Sequence, residues 1–174
     1  DISVLKKKMA AEQRLCWSEQ LSLCIEQHPV FMQTQTVMAY YPMKDEADLR
    51  ILLDKYVNDK KLLLPVVEGD DIRLKEYQGP AFMRTGAYGI LEPDTDEYFT
   101  DFASIDLVLV PGVAFTREGA RLGRGKGYYD RFLPLVPQAR KIGVGYAFQL
   151  IDEIPMSPED VYLDDIICCP PQEC

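Results

Sequence analysis

The sequence predicts a three-layer α/β fold, a mainly parallel sheet with helices on both faces. Three observations carry this. Residues 3–27 contain neither Gly nor Pro, and Leu15, Leu21, Cys24 and Ile25 recur with helical spacing. Short β-rich runs follow at residues 36–41, 61–67, 107–110 and 141–146, separated by segments that read as helix or loop. The run Leu107, Val108, Leu109, Val110 has no polar member, as expected of a strand covered on both faces. The 174 residues fit one domain, long enough to bury roughly 70% of the unfolded chain's surface.

Residues 3–27 read as one long amphipathic helix, on which Lys6, Lys7 and Lys8 form a solvated face. His28 precedes Pro29 at the helix end and is expected to cap or to lie exposed. Residues 36–41 alternate as a strand that stops at Pro42. The segment Met43, Lys44, Asp45, Glu46 reads as the N-cap region of a helix over residues 47–56, with acids suited to its positive end. Residues 61–67 form a buried strand containing Pro65, and residues 72–77 a more polar one across a Glu68, Gly69, Asp70, Asp71 turn. Residues 79–94 are rich in Gly and Pro and read as a loop. Residues 141–146 begin another strand, and residues 148–151 lead into a loop. Asp164 and Asp165 are expected to serve structure at a strand's edge.

Charge and cysteine content restrict the function. With 19 Lys and Arg against 28 Asp and Glu, the net charge of −9 argues against nucleic-acid binding. No apolar run approaches the roughly 20 residues that span a bilayer, and no signal peptide is visible, so a cytoplasmic monomer is expected. The five cysteines, Cys16, Cys24, Cys168, Cys169 and Cys174, include no C-x-x-C pair. Reduced thiols fit best. A single histidine leaves most general-base and nucleophile relays without a member.

Five of the basic residues (Arg117, Arg121, Arg124, Lys126, Arg131) fall within fifteen positions around Leu122, Gly123, Arg124, Gly125, Lys126, Gly127, Tyr128, Tyr129 and Asp130. Glycines let backbone N–H groups turn toward an anion, and a helix starting at Tyr128 adds its dipole. The alternative is a solvated glycine-rich turn. The pattern is neither the dinucleotide fingerprint nor the Walker loop, because Gly123, Gly125 and Gly127 alternate and Lys126 is followed by Gly127. The loop follows the strand at residues 107–110, and ligands in open α/β sheets bind outside the carboxyl ends of strands.

The stretch DLVLVPGVAF at residues 106–115, then Gly119, then RLGRGKGYYD at residues 121–130, resembles the signature of the 5-formyltetrahydrofolate cyclo-ligases, also called methenyltetrahydrofolate synthetases. Weaker similarity covers most of the remaining chain. The resemblance implies a fold akin to the small isomerase and CoA-transferase-like α/β proteins. It implies ATP-dependent closure of 5-formyltetrahydrofolate to 5,10-methenyltetrahydrofolate, with ADP and phosphate released. It places ATP on Arg121, Leu122, Gly123, Arg124, Gly125, Lys126, Gly127, Tyr128 and Tyr129, with Lys126 and Arg124 acting on the phosphoryl group. Glu46 is then the acid that meets the pterin donors, in a pocket with Tyr41 and Met43. Arg124 also faces the substrate, and Tyr128 and Tyr129 face the substrate or the core.

Tyr88 immediately precedes a stretch at residues 89–93 that resembles the family's G-I-x-E-P element and is a candidate to stack on the substrate, the alternative being a packed loop aromatic. Asp130 and Asp160 are paired as a Mg²⁺ site, while Glu159 occupies the position where the family usually has His. The family's basic pair would lie before Asp1, which points to a few native residues preceding the sequence given. The rivals are a sugar-phosphate isomerase or CoA-transferase-like enzyme on this scaffold, and a non-catalytic phosphate- or RNA-binding module.

Overall fold

In the computed structural model, residues 10–169 are described together with Ile2, Val4 and Leu5. Ser3, Lys6, Lys7, Lys8 and Cys174, which enter the expectations above, lie outside the described residues. The first helix, α1 (Ala11–Gln27), buries Ser18, Leu21, Ser22 and Ile25. Leu15, expected on that buried line, is 57% exposed and borders a cleft. His28 caps as expected: its Nδ1 accepts from the Val30 amide at 3.2 Å, at the start of α2 (Pro29–Gln33). Its Nε2 lies 2.8 Å from Asp165.

The strand expected to reach residue 41 is shorter. β1 (Thr36–Met38) stops where Tyr40 turns inward and its hydroxyl donates to the Ala47 carbonyl at 2.7 Å. The next helix, α3 (Arg50–Tyr56), also starts later than residue 47. Asp48, not Glu46, serves its first turn, accepting from the Arg50 amide at 2.9 Å and gripping the Arg50 guanidinium at 2.6 Å. Glu46 instead closes its own turn, accepting from the Met43 amide at 2.9 Å.

β2 (Lys61–Glu68) and β3 (Asp71–Glu76) form an antiparallel pair. Residues 79–94 are not an open loop but carry a hairpin, β4 (Met83–Thr85) and β5 (Leu91–Pro93), closed by the Gly86 amide donating to Ile90 at 2.7 Å. Its Gly and Pro punctuation hid strands of three residues. There follow β6 (Leu107–Val110), a small hairpin of β7 (Ala114–Phe115) and β8 (Arg121–Leu122), α4 (Tyr128–Phe132), β9 (Arg140–Tyr146) and β10 (Asp165–Cys169).

The main sheet has the order β10-β9-β6-β1-β2-β3, parallel throughout except for β3 at one edge. Alternate residues of the buried strands serve opposite layers. Leu107 and Leu109 join Val37, Leu62 and Leu64 beneath α1 and α3. Val108 and Val110 join Met38, Leu63 and Phe115 beneath α4 and the turn that follows it. Asp164 and Asp165 are structural, as expected: Asp164 accepts from the Lys141 amide at 2.8 Å, and Asp165 meets His28.

The expectation of reduced cysteines is corrected. Cys24 on α1 and Cys169 on β10 form a disulfide, their Cα atoms 6.6 Å apart across 145 residues. Spacing along the chain does not reveal that β10 packs against α1. Adjacent residues of a strand face opposite ways, so Cys168 points to the other layer and stays a thiol. Burial pushes that thiol up to about 12.

Candidate functional site

The strand order reverses between β6 and β1: from β1 the chain moves outward to β2 and β3, from β6 to β9 and β10. Such a switch point opens a crevice at the carboxyl ends of its two strands. Residues 39–48 leave β1 there, and the motif loop descends from β6 into the same place.

Phe115 fixes the path of that loop. It is fully buried and occupies a notch opened by three glycines: a Cβ on Gly112, Gly143 or Gly145 would lie 2.8, 2.7 or 3.1 Å from its ring. The β7–β8 hairpin thus turns back over the sheet and delivers residues 123–127. Arg121 braces the turn from within. Its Nε donates to the Pro111 carbonyl at 2.6 Å and its guanidinium lies 4.9 Å from the Tyr129 ring centroid. Burial lowers this guanidinium's pKa. Arg121, expected on the nucleotide, is thus engaged with the Pro111 carbonyl and the Tyr129 ring.

Gly125 (φ 91°) and Gly127 (φ 70°) sit in the left-handed region, which lets the loop reverse without a Cβ clash. Arg131 ties the loop down, donating from Nη1 to the Lys126 carbonyl at 2.9 Å and from Nε and Nη2 to the Asp70 carbonyl of the β2–β3 turn. The tyrosine side chains also belong to structure. Tyr128 donates to the Gly69 carbonyl at 3.2 Å and packs into the core. Tyr129 is enclosed beside Arg121, and burial followed by the charge of Glu46 raises its phenol. Of the two orientations expected for these rings, substrate or core, both are packed against the core. α4 has only five residues, too short for the dipole contribution expected of it. What faces outward is Leu122, Arg124, Gly125 and Lys126, all exposed.

Arg124 links this loop to a second feature. Its Nη2 lies 2.6 Å from Asp45 and 3.9 Å from Glu46. Those acids line a cleft of about 310 Å³ whose walls include Arg14 and Leu15 of α1, Met43, Asp48, Arg50 and Tyr146. The Glu46 side chain is only 10% exposed. Met43 and Glu46 thus both line this cleft. Tyr41 lies beside it, its ring centroid 6.2 Å from that of Tyr77. Tyr88 is outside the cleft's lining, on the hairpin tip, where its ring centroid is 4.4 Å from Lys126 Nζ.

Asp130 accepts from the Val161 amide at 3.2 Å, and Asp160 accepts from the Ser157 amide at 2.8 Å. Both carboxylates therefore engage segment 157–161, and among the described residues each has one oxygen without a hydrogen bond. No cluster of three or more His, Cys, Asp or Glu occurs among the described residues.

The profile of the 5-formyltetrahydrofolate cyclo-ligase family matches residues 1–169. The chain belongs to that family. As a cyclo-ligase it is an enzyme of folate one-carbon metabolism, and the family's reaction is the ATP-dependent conversion of 5-formyltetrahydrofolate to 5,10-methenyltetrahydrofolate. It is 34% identical over 142 residues to the 5-formyltetrahydrofolate cyclo-ligase of Mycolicibacterium smegmatis, a match covering 76% of this chain and 73% of that protein. Against the mouse enzyme the identity is 25% over 175 residues, covering 92% and 86% of the two chains. Its fold matches the NMR structure of Aquifex aeolicus 5,10-methenyltetrahydrofolate synthetase with a TM-score of 0.80 at 38% identity, over 96% of this chain and 89% of that one. The Mycoplasma pneumoniae synthetase matches with a TM-score of 0.73 at 27% identity, over 95% and 93%.

Several cleft residues of this cyclo-ligase were not singled out from the sequence. Tyr146 ends β9, and its hydroxyl accepts from the Asp48 amide at 3.1 Å and lies 3.3 Å from Ser18 Oγ. A strand's carboxyl end was the available signal. Arg14 lies on the long first helix, Asp45 in the segment read as an N-cap and Asp48 inside the expected helix, and no motif marks any of them.

Proposed function

We propose that this chain closes the 5-formyltetrahydrofolate ring in the cleft between α1 and residues 42–50, with ATP held on the adjoining loop at residues 122–127. The observation that carries this is Arg124. It belongs to the phosphate loop yet contacts Asp45 and approaches Glu46 in the cleft wall, so the phosphoryl donor and its acceptor would meet at one guanidinium.

A formamide oxygen is a very poor leaving group, and ATP supplies the remedy. The formyl oxygen attacks the γ-phosphorus, a new O–P bond forms, and the bond to ADP breaks. N10 of the folate then attacks the formyl carbon, its proton is lost, and the C–O bond breaks with departure of phosphate. No protein nucleophile is required. The enzyme's tasks are positioning and charge neutralisation.

Lys126 and Arg124 take phosphate oxygens, and the backbone amides around Gly123, Gly125 and Gly127 approach the same group. Glu46, shielded in the cleft, accepts two N–H bonds from the pterin's aminopyrimidine edge, with Met43 and Tyr41 completing that end. Mg²⁺ prefers one or two carboxylates plus phosphate oxygens and water. Asp130 and Asp160, each with one oxygen uncommitted and both against segment 157–161, fit that requirement and would hold the ion; bound there, it neutralises phosphate charge.

We further propose a single catalytic domain acting as a monomer in the cytoplasm. No helix among the described residues is long and apolar enough to cross a membrane. Membership of the cyclo-ligase family displaces the isomerase, CoA-transferase and RNA-binding readings. The chemical route is tested with substrate carrying ¹⁸O in the formyl group. Label appearing in the released phosphate is expected, and label lost to water instead contradicts it.

A further inference from the structure

We infer that Tyr88 is a positioning residue for Lys126: its ring, presented by the β4–β5 hairpin, holds the lysine ammonium where the nucleotide phosphates arrive. The inference rests on the reading of Lys126 as a phosphate ligand.

Tyr88 is unusual in two respects that packing does not explain. It is 73% exposed. It is also the sole non-glycine residue at positive φ among the described residues, with φ 58° and ψ 22°. An L-residue held there is strained, and such strain persists where the surroundings impose it, often at functional sites.

Here the surroundings are a clamped hairpin. Glu92 of β5 lies 3.2 Å from Arg84 of β4 and 3.9 Å from Lys75 of β3, a lysine that is itself 2% exposed. The Glu92 carboxylate fills the space beneath Gly86, where a Cβ would come within 2.5 Å of it. Charge pairs and a tight turn therefore fix the tip against the edge of the sheet, and the tip projects Tyr88.

The ring's neighbour is Lys126, with Nζ 4.4 Å from the centroid, inside the range of a cation–π contact. Among the described residues Lys126 makes no ion pair, unlike its neighbour Arg124, which has Asp45. A flexible four-carbon side chain on a glycine loop gains order from such a ring while keeping its charge available to an anion. A carboxylate in the same place would neutralise the charge that the phosphate needs. Tyr88 lies outside the folate cleft, so its ring serves the phosphate side of the site.

The test is a double-mutant cycle on ATP affinity, measured by titration calorimetry with Mg²⁺ present, in the wild type, Tyr88→Ala, Lys126→Ala and the double variant. Tyr88→Ala is expected to weaken ATP binding by about two- to five-fold, the range for an exposed cation–π contact. It should have no further effect once Lys126 is Ala. Tyr88→Phe recovers the affinity, because the ring and not the hydroxyl is required. Tyr88→Gly loses affinity as Ala does while melting no lower than the wild type, because it releases the left-handed strain.

Equal effects of Tyr88→Ala with and without Lys126, or unchanged ATP affinity in Tyr88→Ala, overturn the inference. Absence of methenyl product from a wild-type protein that binds ATP overturns the folate reaction and not this inference, which the binding cycle decides by itself.

Discussion

Gly143→Ala perturbs the frame of the site without touching any proposed ligand contact. Gly143 lies in β9, between Val110 of β6 and Ile166 of β10. A Cβ there would stand 2.7 Å from a Phe115 ring carbon and 2.8 Å from both Leu163 and Ile166. Comfortable carbon separations are about 3.5–4.0 Å, so three groups must each retreat by roughly 1 Å. Phe115 is wholly buried and has no empty space to enter. Overpacking of this kind costs about 1–3 kcal/mol, and a chain of this size loses about 2–4 °C of Tm per kcal/mol. A fall of about 3–10 °C is expected in a calorimetric melt. Displacing Phe115 also shifts the β7–β8 hairpin that aims Arg124 and Lys126, so kcat/KM for ATP should fall at temperatures well below the transition. Adding Phe115→Leu, which frees volume, should recover part of both losses. A Gly143→Ala protein with wild-type Tm and kinetics would refute the wedge that is taken to place the loop.

Other perturbations separate the roles assigned above. Lys126→Ala, at an exposed position, should leave Tm nearly unchanged while raising the barrier by about 2–4 kcal/mol, read as kcat/KM for ATP. Glu46→Gln replaces charge-assisted hydrogen bonds by neutral ones, a loss of about 1.4 kcal/mol, and should raise KM for the folate about ten-fold with kcat largely kept. Asp130→Asn should raise the Mg²⁺ concentration needed for half-maximal rate, checked by metal titration at saturating ATP. The Asp165 carboxyl, though burial pushes it up, is held below its usual pKa by hydrogen bonds from His28 and the Ile166 amide. A depressed carboxyl contributes stability above its unfolded pKa and loses it as pH falls through the folded value. Asp165→Asn should therefore flatten the decline of Tm below about pH 4, a small effect at a side chain 47% exposed.

Much of the frame was legible because strands in a covered sheet announce themselves. Leu107 to Val110 has no polar residue, and its place in the sheet's middle follows from that. The hairpin at residues 83–93 was not legible. Its strands have three residues each, and what organises them is Glu92 held by Lys75 and Arg84, partners that no local pattern joins. The site divided along the same line. Met43 and Glu46 line the cleft and Arg124 of the motif loop meets its acids, because glycine spacing and motif resemblance mark backbone geometry well. Resemblance does not say which way a side chain turns. Arg121 and the two tyrosines point inward, toward Pro111, the β2–β3 turn and the core. The Cys24–Cys169 pairing likewise depends on α1 meeting β10, a contact between the two ends of the chain.

The central claim is that this chain uses ATP to close the folate ring. The direct measurement mixes the protein with 5-formyltetrahydrofolate, Mg²⁺ and ATP and follows the near-ultraviolet absorbance of the methenyl product beside a sample lacking ATP. The account predicts growth of that band only with ATP, one ADP formed per ring closed, and its loss in Lys126→Ala. Growth at the same rate without ATP, or ATP consumed with no methenyl band, would contradict it.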